Sequence, residues 1–452
     1  MPETSAAPSG PASHGAAPRA ASRPDDGRLR TPDVVLGALP DAFTADFDFG
    51  RLSREPLHGS RQRQAHDAAD LLLLDTLAGW EATGRQSGRI VVLHDQHGAL
   101  ALPLLAAGRD VRLGVDEASA AASSAGNLER LRAEGWGRLT IGGVDRQTLS
   151  GADTVVMALP RSLDALRLTA ARIARWAAAD VLVLAGGRDK HMSPSMNEVL
   201  AGCFTTVVPG RGRSKSRVLT AAGPRREVAV PGPATGVHRV KGLGPLTLVG
   251  GPATFGGAAL DPGSRLLAET LAERRPPVPE PHSRVVRTDS GLSVQVPWTA
   301  PVDRTGAPAP DVLDAGCGNG ALAAVAALLW PEATVLASDQ SADAVASTSA
   351  TTAANGLQDR IRVEQDDALS TVPDASVRLV LLNPPFHDGT AVDPTVAHRM
   401  IAAAGRVLAP GGQLWCVWNS HLRHRPVLES AVGPTRQVAR DRTFTVTVST
   451  RA

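Results

Sequence analysis

The chain has no tyrosine, only seven phenylalanines and seven tryptophans in 452 residues, and very little lysine. Lys190, Lys215 and Lys241 are its only lysines, so nearly all positive charge is arginine. With abundant Ala, Gly and Pro, this is a bias of coding composition and not a nucleic-acid signature. The formal net charge of +2 says nothing about partners. Three cysteines, Cys203, Cys317 and Cys416, are odd in number and widely spaced. They exclude a disulfide framework, offer no zinc spacing and suit a reducing compartment. No apolar run approaches the roughly 18–20 residues of a membrane span, so no membrane partner is expected. The first thirty or so residues lack the apolar core of a signal peptide. Residues 1–33 are therefore read as a disordered tail, and the expected compartment is the cytoplasm.

What remains is a chain long enough for two domains, with 43% hydrophobic residues to fill their cores. A helical stretch over 66–77 is followed by a β-branched run at 89–94. Strand and helix then alternate, with strands expected at 111–115, 154–158, 181–185 and 204–208. The second half repeats the scheme, with strands near 311–314, 334–338, 361–364, 377–382, 413–418 and 443–449. This is the pattern of an α/β fold with two doubly wound parallel sheets. The halves align as an internal duplication: Asp95, Asp116, Pro160 and Gly186 recur at nearly equal intervals as Asp314, Asp339, Pro384 and Gly411. We set the domains at 34–235 and 236–452. Within the second, residues 276–310 form a Pro-rich insertion whose segments 284–287 and 292–296 flank a hairpin-like turn.

Chemistry distinguishes the copies. The second has Asp314-Ala-Gly316-Cys-Gly318-Asn319-Gly320 after a strand, a turn without the Cβ atoms that would keep a nucleotide-like ligand away from the backbone. Asp314 is placed to hold an ammonium group. Asp339 ends the next strand, where a carboxylate accepts hydrogen bonds from ribose hydroxyls. Asp366 and Asp367 follow the third strand, where an acidic side chain meets an adenine amino group, with Asp367 preferred. Each Asp taken singly reads as a solvated strand end or a helix cap, and a dinucleotide site has similar glycines; the conjunction favours S-adenosylmethionine.

After the fourth strand stands Asn383-Pro384-Pro385-Phe386. The lone pair of an exocyclic amine on a planar ring is delocalised, so the amine is a poor nucleophile. The Asn383 side-chain carbonyl and the Pro384 backbone carbonyl can accept its two N–H groups and favour a tetrahedral nitrogen, leaving positioning and electrostatics to supply the rate. The prolines stiffen the loop, and Phe386 offers a stacking face worth roughly 1–3 kcal/mol. His387 follows, placed to touch substrate or simply solvated. The first copy has neither the glycines nor this tetrad and reads as a fold kept and a site lost.

At this point the chain resembles the ribosomal RNA guanine-N2 methyltransferases of the RsmC/RlmG type, in which a methyltransferase domain follows a degenerate copy of itself. The matching residues are Asp314–Gly320, Asp339–Ser341, Asn383–His387, Asn419–Leu422 and the segment Leu260-Asp-Pro-Gly-Ser-Arg-Leu-Leu267. Ala68–Leu72 and Gly212–Arg217 match in the first copy. The resemblance covers residue 40 to the end. It implies guanine N2 of rRNA as acceptor, the large subunit before the small, and a first copy that helps bind RNA. Arg211, Arg213, Lys215 and Arg217 are the candidate phosphate contacts. The expected partner is rRNA or a ribosomal subunit precursor, with no metal, and the chain is expected to be a monomer. Two alternatives stand beside this reading: an N6-adenine or glutamine-N5 methyltransferase with the same tetrad chemistry, and a non-catalytic RNA-binding assembly factor.

Overall fold

The computed structural model describes residues 42–55, 64–280, 284–287, 293–296, 299, 301–302, 308–385 and 394–452. The expected tail, Phe386, His387 and much of the Pro-rich insertion lie outside the described residues. In the first half, strands β1 (Ile90–Leu93), β2 (Val111–Gly114), β3 (Leu139–Gly142), β4 (Thr154–Ala158), β5 (Leu182–Arg188), β6 (Phe204–Pro209) and β7 (Ser216–Pro224) form one sheet in the order β3-β2-β1-β4-β5-β7-β6. Helix α1 (Ala68–Ala82) precedes the sheet, and α2 (Ala101–Ala106), α3 (Ala118–Leu131), α4 (Arg146–Leu149), α5 (Leu163–Trp176) and α6 (Pro194–Cys203) connect its strands. Two antiparallel pairs follow, β8 (Ala234–Val240) with β9 (Gly244–Gly250) and β10 (Arg284–Arg287) with β11 (Ser293–Val296), the latter where a hairpin was expected.

The second half contains β12 (Val312–Ala315), β13 (Val335–Asp339), β14 (Ile361–Gln365), β15 (Val377–Leu382), β16 (Leu408–Asn419), β17 (Thr435–Arg440) and β18 (Phe444–Thr450). Its helices are α7 (Pro262–Arg274), α8 (Ala321–Leu329), α9 (Ala342–Ala354), α10 (Pro394–Val407) and α11 (Arg425–Ala431). The sheet order, β14-β13-β12-β15-β16-β18-β17, repeats that of the first sheet strand for strand. The duplication is thus complete at the level of topology.

One expectation needs correcting: neither sheet is purely parallel. In each, the penultimate strand of the order (β7 and β18) runs antiparallel to both of its neighbours, and the edge strand (β6 and β17) returns parallel to the rest. In the first sheet the reversal is made by a tight turn in which Ser214 and Lys215 take φ of 50° and 58°, the left-handed pair that matches the twist of a hairpin. The apolar runs of the central strands are buried because helices cover both faces of the sheet. Separate hydrophobic clusters lie on the two sides of each sheet. Strand β9 docks on α9, whose Ser347, Thr351 and Asn355 side chains accept from the backbone N–H groups of Gly251, Val249 and Thr247. That contact explains how a helix so rich in Ser and Thr buries one face.

The copies meet along the ends of β2 and β13. Ala118 N–H donates to the Gln340 carbonyl (2.9 Å) and Ala342 N–H to the Asp116 carbonyl (3.1 Å), one antiparallel step centred on Glu117 and Ser341. No helix among the described residues is long and apolar enough to cross a membrane.

Candidate active site

The C-terminal ends of β12, β13, β14 and β15 open onto a cavity of about 320 Å³. Its lining includes Asp314, Gly316, Gly318, Asn319, Asp339, Asp366, Asp367, Asn383, Pro384 and Pro385, so ten residues singled out from sequence face one space. All three turn glycines have positive φ: 73° at Gly316, 55° at Gly318 and 78° at Gly320. A Cβ on Gly320 would also sit 2.9 Å from Thr348 Cγ2 and 3.1 Å from Thr348 Cα. The turn therefore excludes side chains for its backbone shape as well as for ligand access.

Asp314 is 1% exposed. Its Oδ2 accepts from Ala323 N–H at 2.8 Å, while Oδ1 is buried with no partner. Burial, with the neighbouring Asp339 charge adding to it, pushes the carboxyl up to about 7. A cationic group at Oδ1 would satisfy both the geometry and the charge. Asp339 accepts from Ser341 N–H and Gly318 N–H, one at each oxygen and both at 3.0 Å, tying the strand end to the glycine turn. Each oxygen keeps lone-pair capacity for a further donor, such as a ribose hydroxyl. Burial raises this carboxyl too.

Arg399 of α10 is the one basic residue among the described lining, and it forms a bidentate pair with Asp367. Asp366 accepts from the Ser370 hydroxyl (2.5 Å) and from both the N–H and hydroxyl of Thr371. Both carboxylates proposed for an adenine thus line the cavity already holding protein partners. The anionic lining is hostile to the pyrophosphate of a dinucleotide and suited to a cationic ligand. It resolves the ambiguity that the glycine turn left open.

Asn383 follows β15. Its Nδ2 donates to Asp261 Oδ2 at 2.8 Å and to Ser264 Oγ at 2.9 Å. Its Oδ1 is buried and unpartnered. The two acceptors consume both amide N–H groups, so the carbonyl is the end that faces the cavity. Asp261 is the N-cap of α7, where its Oδ2 also accepts from Ser264 N–H (2.9 Å). Sequence reasoning marked this segment only through the resemblance. The Asn383 partners lie more than a hundred residues upstream, and no local pattern reveals them.

One more participant was missed, and one acts differently from the expectation. Phe255, 80% exposed, stands at the cavity rim on the loop between β9 and α7. Asn319, expected as a cofactor contact, holds that loop: its Nδ2 donates to the carbonyls of Gly257 (2.9 Å) and Ala259 (2.8 Å).

The first copy shows how such a site closes. Asp95, the counterpart of Asp314, accepts from the N–H groups of His97, Gly98, Ala99, Leu100 and Ala101. Both of its oxygens are folded into the turn, where Asp314 leaves one open. The buried His97 side chain packs in behind, its Nδ1 3.0 Å from Ser123 Oγ. Of the candidate phosphate contacts on this copy, Arg213 pairs with Asp75 (2.6 Å) and Arg217 lies 3.6 Å from Asp189. Arg211 and Lys215 are exposed on the same turn.

A strand-end aspartate open to a cation, a glycine turn and an asparagine carbonyl after the fourth strand define a methyltransferase of the small-domain class. Accordingly, residues 302–448 match the family model "Methyltransferase small domain", and 41–225 match "RLMG N-terminal domain". The ribosomal RNA large subunit methyltransferase G of Streptomyces coelicolor is 31% identical over 87% of this chain and 96% of its own length. That of Shewanella amazonensis is 29% identical over 87% and 94%. A T. thermophilus 16S rRNA N2 G1207 methyltransferase, RsmC, solved with AdoMet and guanosine, shares the fold. Its TM-score is 0.64 at 21% identity, over 86% of this chain and 92% of that one. The chain belongs to the ribosomal RNA large subunit methyltransferase G family.

Proposed function

We propose that the chain transfers a methyl group from S-adenosylmethionine to the exocyclic N2 of a guanine in large-subunit rRNA. The observation that carries this reading is the unpartnered Asn383 Oδ1, held toward a cavity that favours a cation. The relatives' names support rRNA of the large subunit as the substrate.

When bound, S-adenosylmethionine supplies an electrophilic methyl on a sulfonium centre. Asp314 would hold its ammonium group, the turn at Gly316–Gly320 would lie against its amino-acid end, and Asp339 would take the ribose. Asn383 Oδ1 and the Pro384 carbonyl accept the two N–H groups of the target amine, which localises its lone pair on the side facing the cavity. Asp261 and Ser264 keep the Asn383 amide from flipping, because the reverse orientation would set its oxygen against a carboxylate. No base is needed before transfer, since the proton can leave the methylated nitrogen afterwards. The first copy contributes a basic edge with Arg211, Arg213, Lys215 and Arg217, and with Arg161, Arg188 and Lys190 around His191. Such an edge suits an RNA backbone. We place the reaction in the cytoplasm, on rRNA or a subunit precursor, with the protein acting as a monomer.

The test is methyl transfer from labelled S-adenosylmethionine to rRNA from a strain lacking the protein, read by nucleoside mass spectrometry. N2-methylguanosine formed by the wild type and lost in Asn383→Ala supports the reading. Label on adenosine, or on protein glutamine, overturns the acceptor assignment. Cofactor binding with no label on any substrate points to an assembly factor.

A further inference from the structure

The degenerate copy keeps a carboxylate at the position equivalent to Asp339, and the structure shows where it goes. Asp116 Oδ2 accepts from the Ser341 hydroxyl (2.5 Å), and its Oδ1 accepts from Asp343 N–H (3.0 Å). Its backbone carbonyl accepts from Ala342 N–H (3.1 Å) and from Gln365 Nε2 (2.8 Å). Ser341 is the N-cap of α9, and its own hydroxyl accepts from Ala344 N–H. A helix start leaves its first N–H groups without intrahelical partners. In α9, two of these are taken up by a residue of the other domain.

The segment capped in this way borders the cofactor cavity on two sides. Asp339 Oδ1 accepts from Ser341 N–H, so the cap and the expected ribose carboxylate share one residue. Gln340, which lines the cavity, has its side-chain carbonyl oxygen held by the Ser119 hydroxyl (2.7 Å) and its backbone carbonyl by Ala118 N–H and Gln365 Nε2. Asp343, one turn further on, accepts from Ala253 N–H and the Thr254 hydroxyl (2.6 Å), fixing the loop that carries Phe255. Movement at the start of α9 would therefore displace the ribose carboxylate and the rim loop together.

We infer that Asp116 of the degenerate copy is a positioning residue for cofactor binding, capping α9 across the domain boundary so that Asp339, Gln340 and the Phe255 loop are set before ligand arrives. The carboxylate that would have held a ribose in its own domain serves the ribose site of the other. This rests on the cavity being the S-adenosylmethionine site, and makes no use of the RNA assignment.

The test uses the full chain with Asp116→Ala and with Asp116→Asn, the latter keeping one carbonyl acceptor as the variant that folds more safely. S-adenosylhomocysteine affinity by calorimetry, affinity for an rRNA fragment, and hydrogen exchange at 339–345 and 251–257 are measured together. Loss of a buried cap predicts cofactor affinity weaker by about tenfold in Asp116→Ala and less in Asp116→Asn. Exchange at both segments should rise, with RNA affinity unchanged. Wild-type affinity for S-adenosylhomocysteine in Asp116→Ala overturns the inference. An equal loss of cofactor and RNA affinity in both variants also overturns it, as it would mark a general folding defect. If the wild type itself fails to bind S-adenosylhomocysteine, the cofactor assignment falls instead, which keeps the two failures distinguishable.

Discussion

Replacing Asp261 should slow methyl transfer without weakening cofactor binding. Asp261 Oδ2 receives one of the two N–H groups of Asn383, the other going to Ser264 Oγ. Asn383 Oδ1 is left facing the cavity. A hydrogen bond to a charged acceptor contributes roughly 1.5–3 kcal/mol. In Asp261→Ala that preference disappears, and Ser264, whose hydroxyl can donate as well as accept, no longer discriminates between the two amide orientations. The flipped amide points an N–H at the target amine and cannot support attack. The predicted fall in single-turnover rate is about 10- to 100-fold. Asp261→Asn, with one neutral carbonyl left, should fall between the two. Loss of the α7 cap costs about 1 kcal/mol in addition, a melting shift of a few degrees. The assay is single-turnover transfer of labelled methyl at saturating cofactor, with cofactor affinity measured in parallel. A wild-type rate in Asp261→Ala, or a loss confined to cofactor affinity, would refute the reasoning.

Three further outcomes are expected. Asp314, raised to about 7 in the ligand-free protein, must be ionised to meet an ammonium group. S-adenosylmethionine affinity should therefore fall up to tenfold per pH unit below about 7, a dependence that calorimetry in buffers of different ionisation heat would detect. Asp70 is likewise raised by burial, to about 8. Both carboxyls hold protons in the folded state that the unfolded chain has released. Their stabilising contribution is therefore complete below the unfolded value of 3.8 and is lost as pH rises through the folded ones. Between pH 7.5 and 8.5, above both the folded values and the unfolded value of 6.5 of the lowered histidines His94, His97 and His424, stability should drop by on the order of 1 kcal/mol. Denaturant melts at the two pH values test this, and a flat profile would contradict it. Gly320→Ala, strained at a φ of 78° and crowded by Thr348, should lose about 1–3 kcal/mol of stability. It should also lose most cofactor affinity, measurable in the same melts with and without S-adenosylhomocysteine.

The sequence carries the parts of this molecule whose cause is local. Buried β-branched runs marked the central strands of both sheets, and the recurrence of Asp95, Asp116 and Pro160 as Asp314, Asp339 and Pro384 exposed the duplication. β7 was missed because its Ala- and Gly-rich sequence carries no alternation. β8 and β17 were missed because their exposed, charged residues match no buried-strand pattern. Each is settled by the strand beside it. The site divides in the same way. Asp314 and Asn383 are legible from the strands they end. The choice of Asp261 and Ser264 as amide partners, and the capture of Asp367 by Arg399, depend on which loops the sheet brings together. Asp116 was visible as a twin of Asp339, but nothing in the chain announced that it would reach across to the helix that follows Asp339.

The contact at Glu117 and Ser341, past the ends of β2 and β13, joins equivalent borders of two copies of one architecture, the kind of face through which separate identical subunits commonly associate. Here both borders belong to one chain, so each meets the other at an effective concentration fixed by the connecting segment and not by how much protein is present. A dimer held by so few hydrogen bonds would come apart on dilution. The tandem chain has no such threshold: its specific activity should stay constant down to the lowest enzyme concentration an assay can read.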